Sequence, residues 1–334
     1  MKIILYFRKP NKTNWSVEFI FQSLAKRFQT QAEVLEKISP FYSTGLLNRL
    51  NAVFWAKYEF QREKGDINHI TGDVHFLTLG LPRWKTILTI HDVSFVKRGP
   101  HVNRFILWLF WIYLPVHRSR FVTCVSQETR KDVIRYSCCN PSKIKVIYNF
   151  LKKGFVHSPR TFNKKRPILL QIGTNYNKNL ERLIVALTGI NCELRIIGRI
   201  PDKIEKLLKM SRIAFTNKFE ISDNDLFTEY INADVITFCS TLEGFGLPII
   251  EAQAVGRVVV TSDVSSMPEI AGGGACLVNP FDISSIRRGI ETVVNDDAYR
   301  NKLIQKGLEN IERFRIDKIT QDYLDLYKMV GNGR

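Results

Sequence analysis

The sequence predicts an α/β protein with two successive Rossmann-like lobes, each built on parallel strands. Short apolar runs rich in β-branched residues alternate with longer amphipathic stretches along the chain, the pattern of βα units. A chain of 334 residues also exceeds what one hydrophobic core usually serves. Breakers and clustered charges near residues 150–166 indicate a linker between the two series. We therefore expect two lobes facing across a cleft, the usual place for ligands of parallel sheets.

The first series gives the lobe at residues 1–150. Its expected strands are Lys2–Phe7, near Asp66–His69, Thr86–His91, Arg120–Val125 and Lys145–Ile147. Its expected helices are Ser16–Phe28, Thr44–Gln61, Asn103–Leu114 and Gln127–Ser137. Ser126 directly follows the apolar strand FVTCV, so we expect its hydroxyl to cap the last of these helices.

The second series gives the lobe at residues 165–313. Its expected strands are Ile168–Ile172, Glu193–Ile197, Asp234–Cys239, Arg257–Thr261 and Cys276–Val278, with helices between them. The last stretch, Phe314–Lys328, is predicted to be helical.

Charge is unevenly distributed along the chain. The whole sequence holds 49 basic and 32 acidic residues, and residues 1–200 alone hold 33 basic and 12 acidic residues. Such a field attracts anions, and the candidates are nucleic acid, an anionic membrane surface or a phosphorylated substrate. No nucleic-acid-binding signature is present and the basic residues spread over several elements, so we predict no nucleic acid partner.

Cysteine usage and the N-terminus both favour the cytoplasm. The six cysteines lack the paired spacing of a zinc site, and several lie in apolar runs typical of buried free thiols. The start MKIILYFRKP is predicted to be a strand rather than a signal peptide. The aromatic segment Phe105–Tyr113 is too short to span a bilayer. We expect most of it to be a buried helix; the alternative is contact with a membrane interface through the flanking Arg104 and Arg118.

One stretch, residues 240–275, concentrates the chemistry. Glu243 and Glu251 are separated by seven residues, and a Gly-Phe-Gly turn follows Glu243 directly after an apparent strand. A helix is predicted from Leu247, with Pro248 tolerated in its first turn. Backbone amides at such a helix start suit a diphosphate, and carboxylates beside them suit sugar hydroxyls. The alternative is a common strand–turn–helix junction with two solvated glutamates.

Metal dependence can be weighed separately. Asp223–Asn224–Asp225 matches the Asp-x-Asp pair that holds a divalent ion in some enzymes. The triplet precedes LFTEYINAD and reads as a helix start, where acidic residues favour the helix dipole. We therefore predict capping there, no catalytic metal and no cofactor.

The stretch EGFGLPIIEA, followed by GRVVVTSDVSSMPEIAG, resembles the donor-binding signature of retaining family-4 glycosyltransferases, which adopt the GT-B fold. Further segments resemble the family in its own order: FRKPNKTNWSVE, ILTIHDVSF, TCVSQETRKDVI, SKIKVIYN, LLQIGTNYNKNLERLIVAL and LRIIG. The resemblance covers nearly the whole chain. It implies that the lobe at 165–313 binds a nucleotide-diphosphate sugar. It also implies that the lobe at 1–150, joined by a returning C-terminal helix at 314–330, binds the acceptor.

The resemblance also implies a reaction and a setting. The reaction is retaining, metal-independent transfer of a sugar, with a hexose such as mannose as the expected donor sugar. The acceptor would be a glycan or polyprenyl-linked sugar in bacterial surface polysaccharide synthesis, such as the O-antigen of lipopolysaccharide. The enzyme would be cytoplasmic, with peripheral attachment to an anionic membrane surface through its basic lobe.

By motif position, the resemblance assigns residue roles. Glu251 would hold the donor ribose, Glu243 the transferred sugar, and Lys178 the diphosphate. His91, at a strand end, would lie near the reacting centre, so the expected catalytic residues are His91 and Glu243. The turn that contributes backbone amides to sugar and phosphate would be formed by Gly244, Phe245, Gly246 and Leu247.

The chain departs from the family pattern at two places. Many members carry an Arg shortly before the lysine equivalent to Lys178, whereas residues 173–177 here read GTNYN. Arg199, after the strand LRIIG, is the candidate for the second phosphate contact. Several relatives also carry glycines in the first β–α loop, where this chain reads NKTNWS and Asn14 is a candidate phosphate contact.

Other functions stay open from the sequence. A nucleotide-sugar epimerase or a glycan phosphorylase can use the same fold, and a non-catalytic scaffold would bind anionic lipid or glycan. Direct transfer, in which the departing phosphate takes the acceptor proton, and a covalent intermediate are both compatible with the residues.

Overall fold

The computed structural model describes residues 1–10, 16–97 and 101–331. It contains two compact units. The first comprises described residues up to Phe150 together with those from Ile316 onward, and the second comprises Leu151–Arg315. The strands are β1 Lys2–Phe7, β2 Glu33–Ile38, β3 Ile67–Ile70, β4 Thr86–Ile90, β5 Phe121–Cys124, β6 Ile144–Val146, β7 Ile168–Ile172, β8 Glu193–Ile197, β9 Ala214–Lys218, β10 Val235–Phe238, β11 Val258–Ser262 and β12 Cys276–Val278.

Helices follow most of the strands. They are α1 Ser16–Phe28, α2 Leu46–Arg62, α3 Ser94–Lys97, α4 His101–Leu107, α5 Leu114–His117, α6 Gln127–Ser137, α7 Leu180–Leu187, α8 Asp202–Ser211, α9 Asp223–Asn232, α10 Leu247–Ala254, α11 Met267–Ala271, α12 Ile283–Asn295, α13 Asp297–Asn310 and α14 Ile316–Gly331. A π-helical turn, Trp108–Tyr113, lies between α4 and α5. Among the residues that the structure describes, no helix is both long and apolar enough to cross a lipid bilayer.

The first unit is a six-stranded parallel sheet in the order β2-β1-β3-β4-β5-β6. The C-terminal helix α14 packs on this sheet through a buried polar cluster. His69 Nδ1 lies 2.6 Å from the Tyr327 hydroxyl, and His69 Nε2 lies 2.8 Å from Thr89 Oγ1. Burial lowers the pKa of His69 to about 3, so the imidazole is neutral and links helix to sheet without a buried charge.

The second unit is also a six-stranded parallel sheet, in the order β12-β11-β10-β7-β8-β9. The chain runs outward from β7 to β9 and then crosses to β10 on the other side of β7. The strand order therefore reverses between β7 and β10. In open α/β sheets the loops after the two strands at such a reversal form the ligand site.

The predicted order of elements is confirmed for most of the chain. Two strands were missed, β2 (EVLEKI) and β9 (AFTNK). Both lie at sheet edges, and all of their side chains are exposed or half-buried. Neither carries the continuous apolar run that identified the interior strands, which explains why they escaped the hydrophobic pattern.

The predicted aromatic helix at 103–114 is divided into α4, the π-helical turn and α5. Trp111 and Ile112 are buried as expected. The expectation that most of this segment is buried is nevertheless wrong, because Phe105, Ile106, Phe110 and Tyr113 are exposed and residues 107–109 are half-buried. The pattern of aromatic residues alone did not distinguish the two sides of this segment.

The predicted linker has no regular secondary structure, but it packs on the second unit. Arg160 Nε lies 3.1 Å from Asp234 Oδ1, and the same carboxylate accepts hydrogen bonds from the backbone N–H groups of Asn163 and Ile168. The ring of Phe155 contacts those of Phe227 and Tyr230 edge to face. This segment is therefore packed against the second unit as part of it.

Candidate functional site

The candidate site is formed by the two loops at the strand reversal of the second unit. The loop after β7 carries Lys178, and the loop after β10 carries Glu243. Asn177 joins the loops, because its Nδ2 donates to the Leu242 carbonyl at 3.0 Å and its own carbonyl accepts from the Thr241 N–H at 2.8 Å. Buried Asn179 adds side-chain hydrogen bonds to the carbonyls of Cys239 and Pro280. The two loops are thus held as one surface.

Lys178 and Glu243 form an ion pair at the centre of this surface. Lys178 Nζ lies 2.7 Å from Glu243 Oε1, and the side chains are only 17% and 14% exposed. Asn177 Nδ2 donates to the same oxygen at 3.1 Å. The lysine ammonium also lies 4.5 Å from the centroid of the Phe238 ring. A half-buried pair of this kind is screened by water less than a surface pair and fixes both side chains.

A glycine makes room for the lysine. Gly173 has φ +83°, and a Cβ there would lie 2.9 Å from Lys178 Cε. A side chain at this position would be strained by the backbone angle and would also displace the lysine. Gly173 therefore leaves the space that the Lys178 side chain occupies.

The Gly-Phe-Gly turn leads directly into α10. Gly246 has φ +112° and caps this helix, and a Cβ would meet Ile249 at 3.1 Å. Ser266 Oγ donates to the carbonyls of Glu243 and Phe245, which fixes the turn from below. Within the described part of the chain, no group accepts a hydrogen bond from the N–H groups of Gly246 and Leu247. Amides at a helix start are suited to an anion.

Glu251 lies in the second turn of α10 and is buried. Its Oε2 accepts a hydrogen bond of 2.7 Å from the Tyr230 hydroxyl at the end of α9. Burial raises the pKa of the Glu251 carboxyl, and the hydrogen bond from Tyr230 opposes this shift. Burial and the adjacent carboxylate raise the pKa of Tyr230 well above its ordinary value, so the phenol stays a donor. Among the described residues, none donates a hydrogen bond to the second oxygen, Oε1.

A second pair of charges acts on Glu251 through space. Lys152 and Asp223 form an ion pair at 3.2 Å. The positive charge of Lys152 lowers the pKa of Glu251 and the negative charge of Asp223 raises it. Lys152 comes from the segment expected as a linker, so this segment contributes to the electrostatics of the site.

His91 lies in the first unit, directly after β4. Its Nε2 lies 2.8 Å from the Thr71 carbonyl, and its ring contacts that of Phe21 edge to face. The carbonyl contact requires a proton on Nε2, which leaves Nδ1 as the acceptor of the neutral ring. The imidazole is half-buried and held in one orientation.

The two candidate phosphate contacts have different outcomes. Arg199 is 74% exposed on its side chain, pairs with Glu220 at 3.2 Å and lies against the Phe219 ring. Its carbonyl accepts a hydrogen bond from Thr174 Oγ1. The structure therefore places its backbone beside the β7 loop but its side chain in solvent. Asn14 lies outside the described residues.

The Asp-x-Asp match is a helix start, as predicted. Ser222 caps α9, and Asp225 completes a capping box by accepting from the Ser222 backbone N–H. Asp223 pairs with Lys152 instead of facing another carboxylate. Across residues 1–10, 16–97 and 101–331, no three His, Cys, Asp or Glu side chains are grouped so that they could hold a metal ion. Metal independence stays a prediction.

Three residues of the site were not identified from the sequence. They are Asn177, which joins the loops, Tyr230, which contacts Glu251, and Ser266, which supports the turn. Tyr230 reads as one more apolar position of a helix, and nothing in its neighbourhood indicates a partner 21 residues away. Asn177 directly precedes Lys178, so its polar side chain in that loop was the one signal that could have identified it as a site residue.

Two family models match this chain, and together they cover most of the two units. The model for Glycosyltransferase Family 4 matches residues 12–152, and the model for Glycosyl transferases group 1 matches residues 153–310. Among solved structures, Anabaena HepE in complex with UDP and glucose has a TM-score of 0.80 at 15% identity, over 98% of this chain and 100% of that chain. The two parallel-sheet units together with these two family matches identify a GT-B glycosyltransferase.

Within that class, the chain belongs to the glycosyltransferases with a family-4 N-terminal half and a group 1 C-terminal half. The serotype-specific mannosyltransferase WbdA of Escherichia coli is 24% identical over 281 residues, which is 74% of this chain and 34% of WbdA. The O-antigen chain mannosyltransferase RfbU of Salmonella typhimurium is 27% identical over 76% of this chain and 70% of RfbU. The chain spans about a third of the length of the WbdA proteins it matches.

Proposed function

We propose that this protein transfers a hexose, with mannose as the first candidate, from a nucleotide-diphosphate donor to a glycan or polyprenyl-linked acceptor. The setting we infer is assembly of a bacterial surface polysaccharide of the O-antigen type. The observation that carries the proposal is the Lys178–Glu243 pair at the strand reversal, with the buried Glu251 in the second turn of the following helix α10. The names of WbdA and RfbU support mannose, and the UDP complex of HepE supports a nucleotide-sugar donor.

The donor would engage the site through three kinds of contact. Oε1 of Glu251 would accept hydrogen bonds from the ribose hydroxyls, since Oε2 is already occupied by Tyr230. The ammonium of Lys178 and the amides of Gly246 and Leu247 would face the diphosphate. Glu243 would then exchange part of its contact with Lys178 for a hydroxyl of the transferred sugar.

The reaction depends on stabilising the leaving group. When the bond from the anomeric carbon to the phosphate oxygen breaks, negative charge develops on the nucleoside diphosphate. A fixed ammonium and helix-start amides stabilise that charge without having to reorganise during the reaction. The acceptor oxygen would form its bond to the anomeric carbon on the face that the phosphate leaves, and the phosphate would take the proton of the acceptor hydroxyl, so the configuration at the anomeric carbon is retained. His91 would orient the sugar rather than act as a general base.

A donor screen followed by product analysis tests the proposal. Thermal shift with GDP-mannose, UDP-glucose and other nucleotide sugars should single out one donor, because a ligand that binds the native state raises the melting temperature. NMR of the product formed with that donor and a lipid-linked acceptor should give the donor's own anomeric configuration. Turnover of the donor without acceptor, giving an epimerised sugar, would reject transfer in favour of the epimerase. Absence of binding to every nucleotide sugar would favour a scaffold.

A further inference from the structure

The outward face of α2 in the first unit has an unusual composition. Five large apolar side chains on this helix are exposed, namely Leu46, Leu47, Leu50, Phe54 and Tyr58. Positions 47, 50, 54 and 58 follow the three-and-four spacing of one helical stripe. Phe54 is 67% exposed and Leu47 is 76% exposed. A run of this size on one face is uncommon where only water is in contact.

The charges of α2 are sorted between its two sides. Its exposed positions include the cations Lys57 and Arg62 and no carboxylate. Glu59 is turned inward, where its Oε2 lies 2.9 Å from Lys37 Nζ on β2. Glu63, just after the helix, pairs with the same lysine. The outer surface is therefore apolar and cationic, and the negative charges are neutralised by the edge of the sheet.

A second group of exposed apolar side chains lies on the element that α2 contacts. The Arg49 guanidinium lies 4.4 Å from the centroid of the Trp111 ring, which belongs to the π-helical turn. Phe105, Ile106, Phe110 and Tyr113 on α4 and this turn are exposed. Arg104 and Arg118 flank that segment in the sequence. The same combination of aromatic, aliphatic and basic side chains thus occurs twice in one neighbourhood.

We propose that the outer face of α2, defined by Leu46, Leu47, Leu50, Phe54 and Tyr58 with Lys57 and Arg62, docks on an anionic lipid bilayer. Charge complementarity identifies this occupant. A helix lying in the interface buries apolar side chains among acyl chains while its cations meet anionic headgroups. The surface lies outside the donor site, so the proposal does not depend on which sugar is transferred.

Vesicle flotation with the full chain tests the proposal. The probes are vesicles of phosphatidylcholine alone and vesicles of phosphatidylcholine and phosphatidylglycerol in equal amounts. Wild-type protein should float with the anionic vesicles and much less with the neutral ones. Leu47→Glu/Phe54→Glu should weaken binding to anionic vesicles by about tenfold or more, because two apolar anchors are lost and two negative charges are added.

A matched variant separates this surface from general effects of added charge. Val156→Glu/Met210→Glu also replaces two exposed apolar side chains with glutamate, in the second unit. It should float like wild type. Lys57→Gln/Arg62→Gln should reduce the preference for anionic over neutral vesicles by several fold, since two cations that would meet the anionic headgroups are lost. All variants are first required to keep the wild-type melting temperature and circular dichroism.

Two results would overturn the proposal. One is equal loss of flotation in the α2 variant and its matched control. The other is unchanged flotation of the α2 variant with anionic vesicles. A change in the mass of that variant by light scattering would then assign the α2 face to a contact between copies of the chain. Failure of either kind leaves the donor site untouched, because nucleotide binding is measured without lipid.

Discussion

Glu243 and Glu251 belong to the same strand–turn–helix junction, but they lie in different electrostatic surroundings. Glu243 is in the loop and pairs with the Lys178 ammonium at 2.7 Å. Glu251 is buried in the helix and accepts one hydrogen bond from the neutral Tyr230 hydroxyl. The ionised form of Glu243 is stabilised by the full positive charge of Lys178. The ionised form of Glu251 is stabilised by the dipole of the Tyr230 hydroxyl and disfavoured by burial.

This difference suggests distinct tasks. A carboxylate that pairs with a lysine can trade that lysine for a new partner when a diphosphate arrives, so it suits a contact that changes during the reaction. A buried carboxylate with one oxygen already engaged presents the other in a fixed direction, which suits constant recognition of a ribose. The following variants test this division, beginning with the largest expected effect.

Glu251→Ala should have the largest effect on donor affinity. It removes the charged acceptor expected to receive two ribose hydroxyls, and hydrogen bonds to charged groups contribute about 1.5–3 kcal/mol each. We expect the dissociation constant of the donor to rise by at least about a hundredfold, the lower end of that range. Isothermal titration measures it. Glu251→Gln keeps an acceptor for Tyr230 but loses the charge, so its loss should be intermediate. Wild-type affinity in the alanine variant would contradict the assignment.

Lys178→Met should weaken the diphosphate contact specifically. We expect about tenfold lower affinity for the nucleoside diphosphate, because one charge-assisted hydrogen bond is lost. Affinity for the corresponding nucleoside monophosphate should change little. Lys178→Arg, which keeps the charge, is the control. An equal loss for both nucleotides would mean that Lys178 supports the fold of the loop rather than the second phosphate.

Glu243→Gln should weaken recognition of the transferred sugar without weakening recognition of the diphosphate. Without its carboxylate, Lys178 is fully available to the phosphates, so the nucleoside diphosphate should bind as well as to wild type or better. The advantage of the nucleotide sugar over the nucleoside diphosphate should shrink by a few fold, since one neutral hydroxyl contact is weakened. Competition titration with both ligands gives the ratio. A parallel fall in both affinities would show that Glu243 acts only by positioning Lys178.

Tyr230→Phe should give the smallest effect at neutral pH and a distinct effect in acid. The Tyr230 hydrogen bond lowers a Glu251 pKa that burial has raised, so its loss should raise that pKa further. Donor binding requires the ionised form and is lost as pH falls through this pKa. The midpoint of that loss should therefore move to higher pH in the variant. Titrations of donor affinity over the acid range measure the shift, and an unchanged midpoint would contradict a positioning role for Tyr230.

The order of the main elements and the position of the site were predictable from the sequence. Interior strands such as β7 and β10 are short apolar runs, and Gly246 of the turn stands where the backbone takes a positive φ. The edge strands β2 and β9 were not predictable in this way, because their exposed and half-buried side chains form no continuous apolar run.

The contacts that give the site its electrostatics join residues distant in the chain. The pairing of Lys178 with Glu243 spans 65 positions, and that of Tyr230 with Glu251 spans 21. Periodicity and local motifs carry no information on such pairs. The resemblance supplied Lys178 and both glutamates, but neither Tyr230 nor the solvent-directed side chain of Arg199.

A crystal structure of the chain with a nucleoside diphosphate tests the proposed donor contacts most directly. The account predicts a phosphate oxygen within about 3 Å of Lys178 Nζ and ribose hydroxyls donating to Glu251. A nucleotide bound elsewhere, with Lys178 still paired only to Glu243 and Glu251 touching only Tyr230, would contradict it.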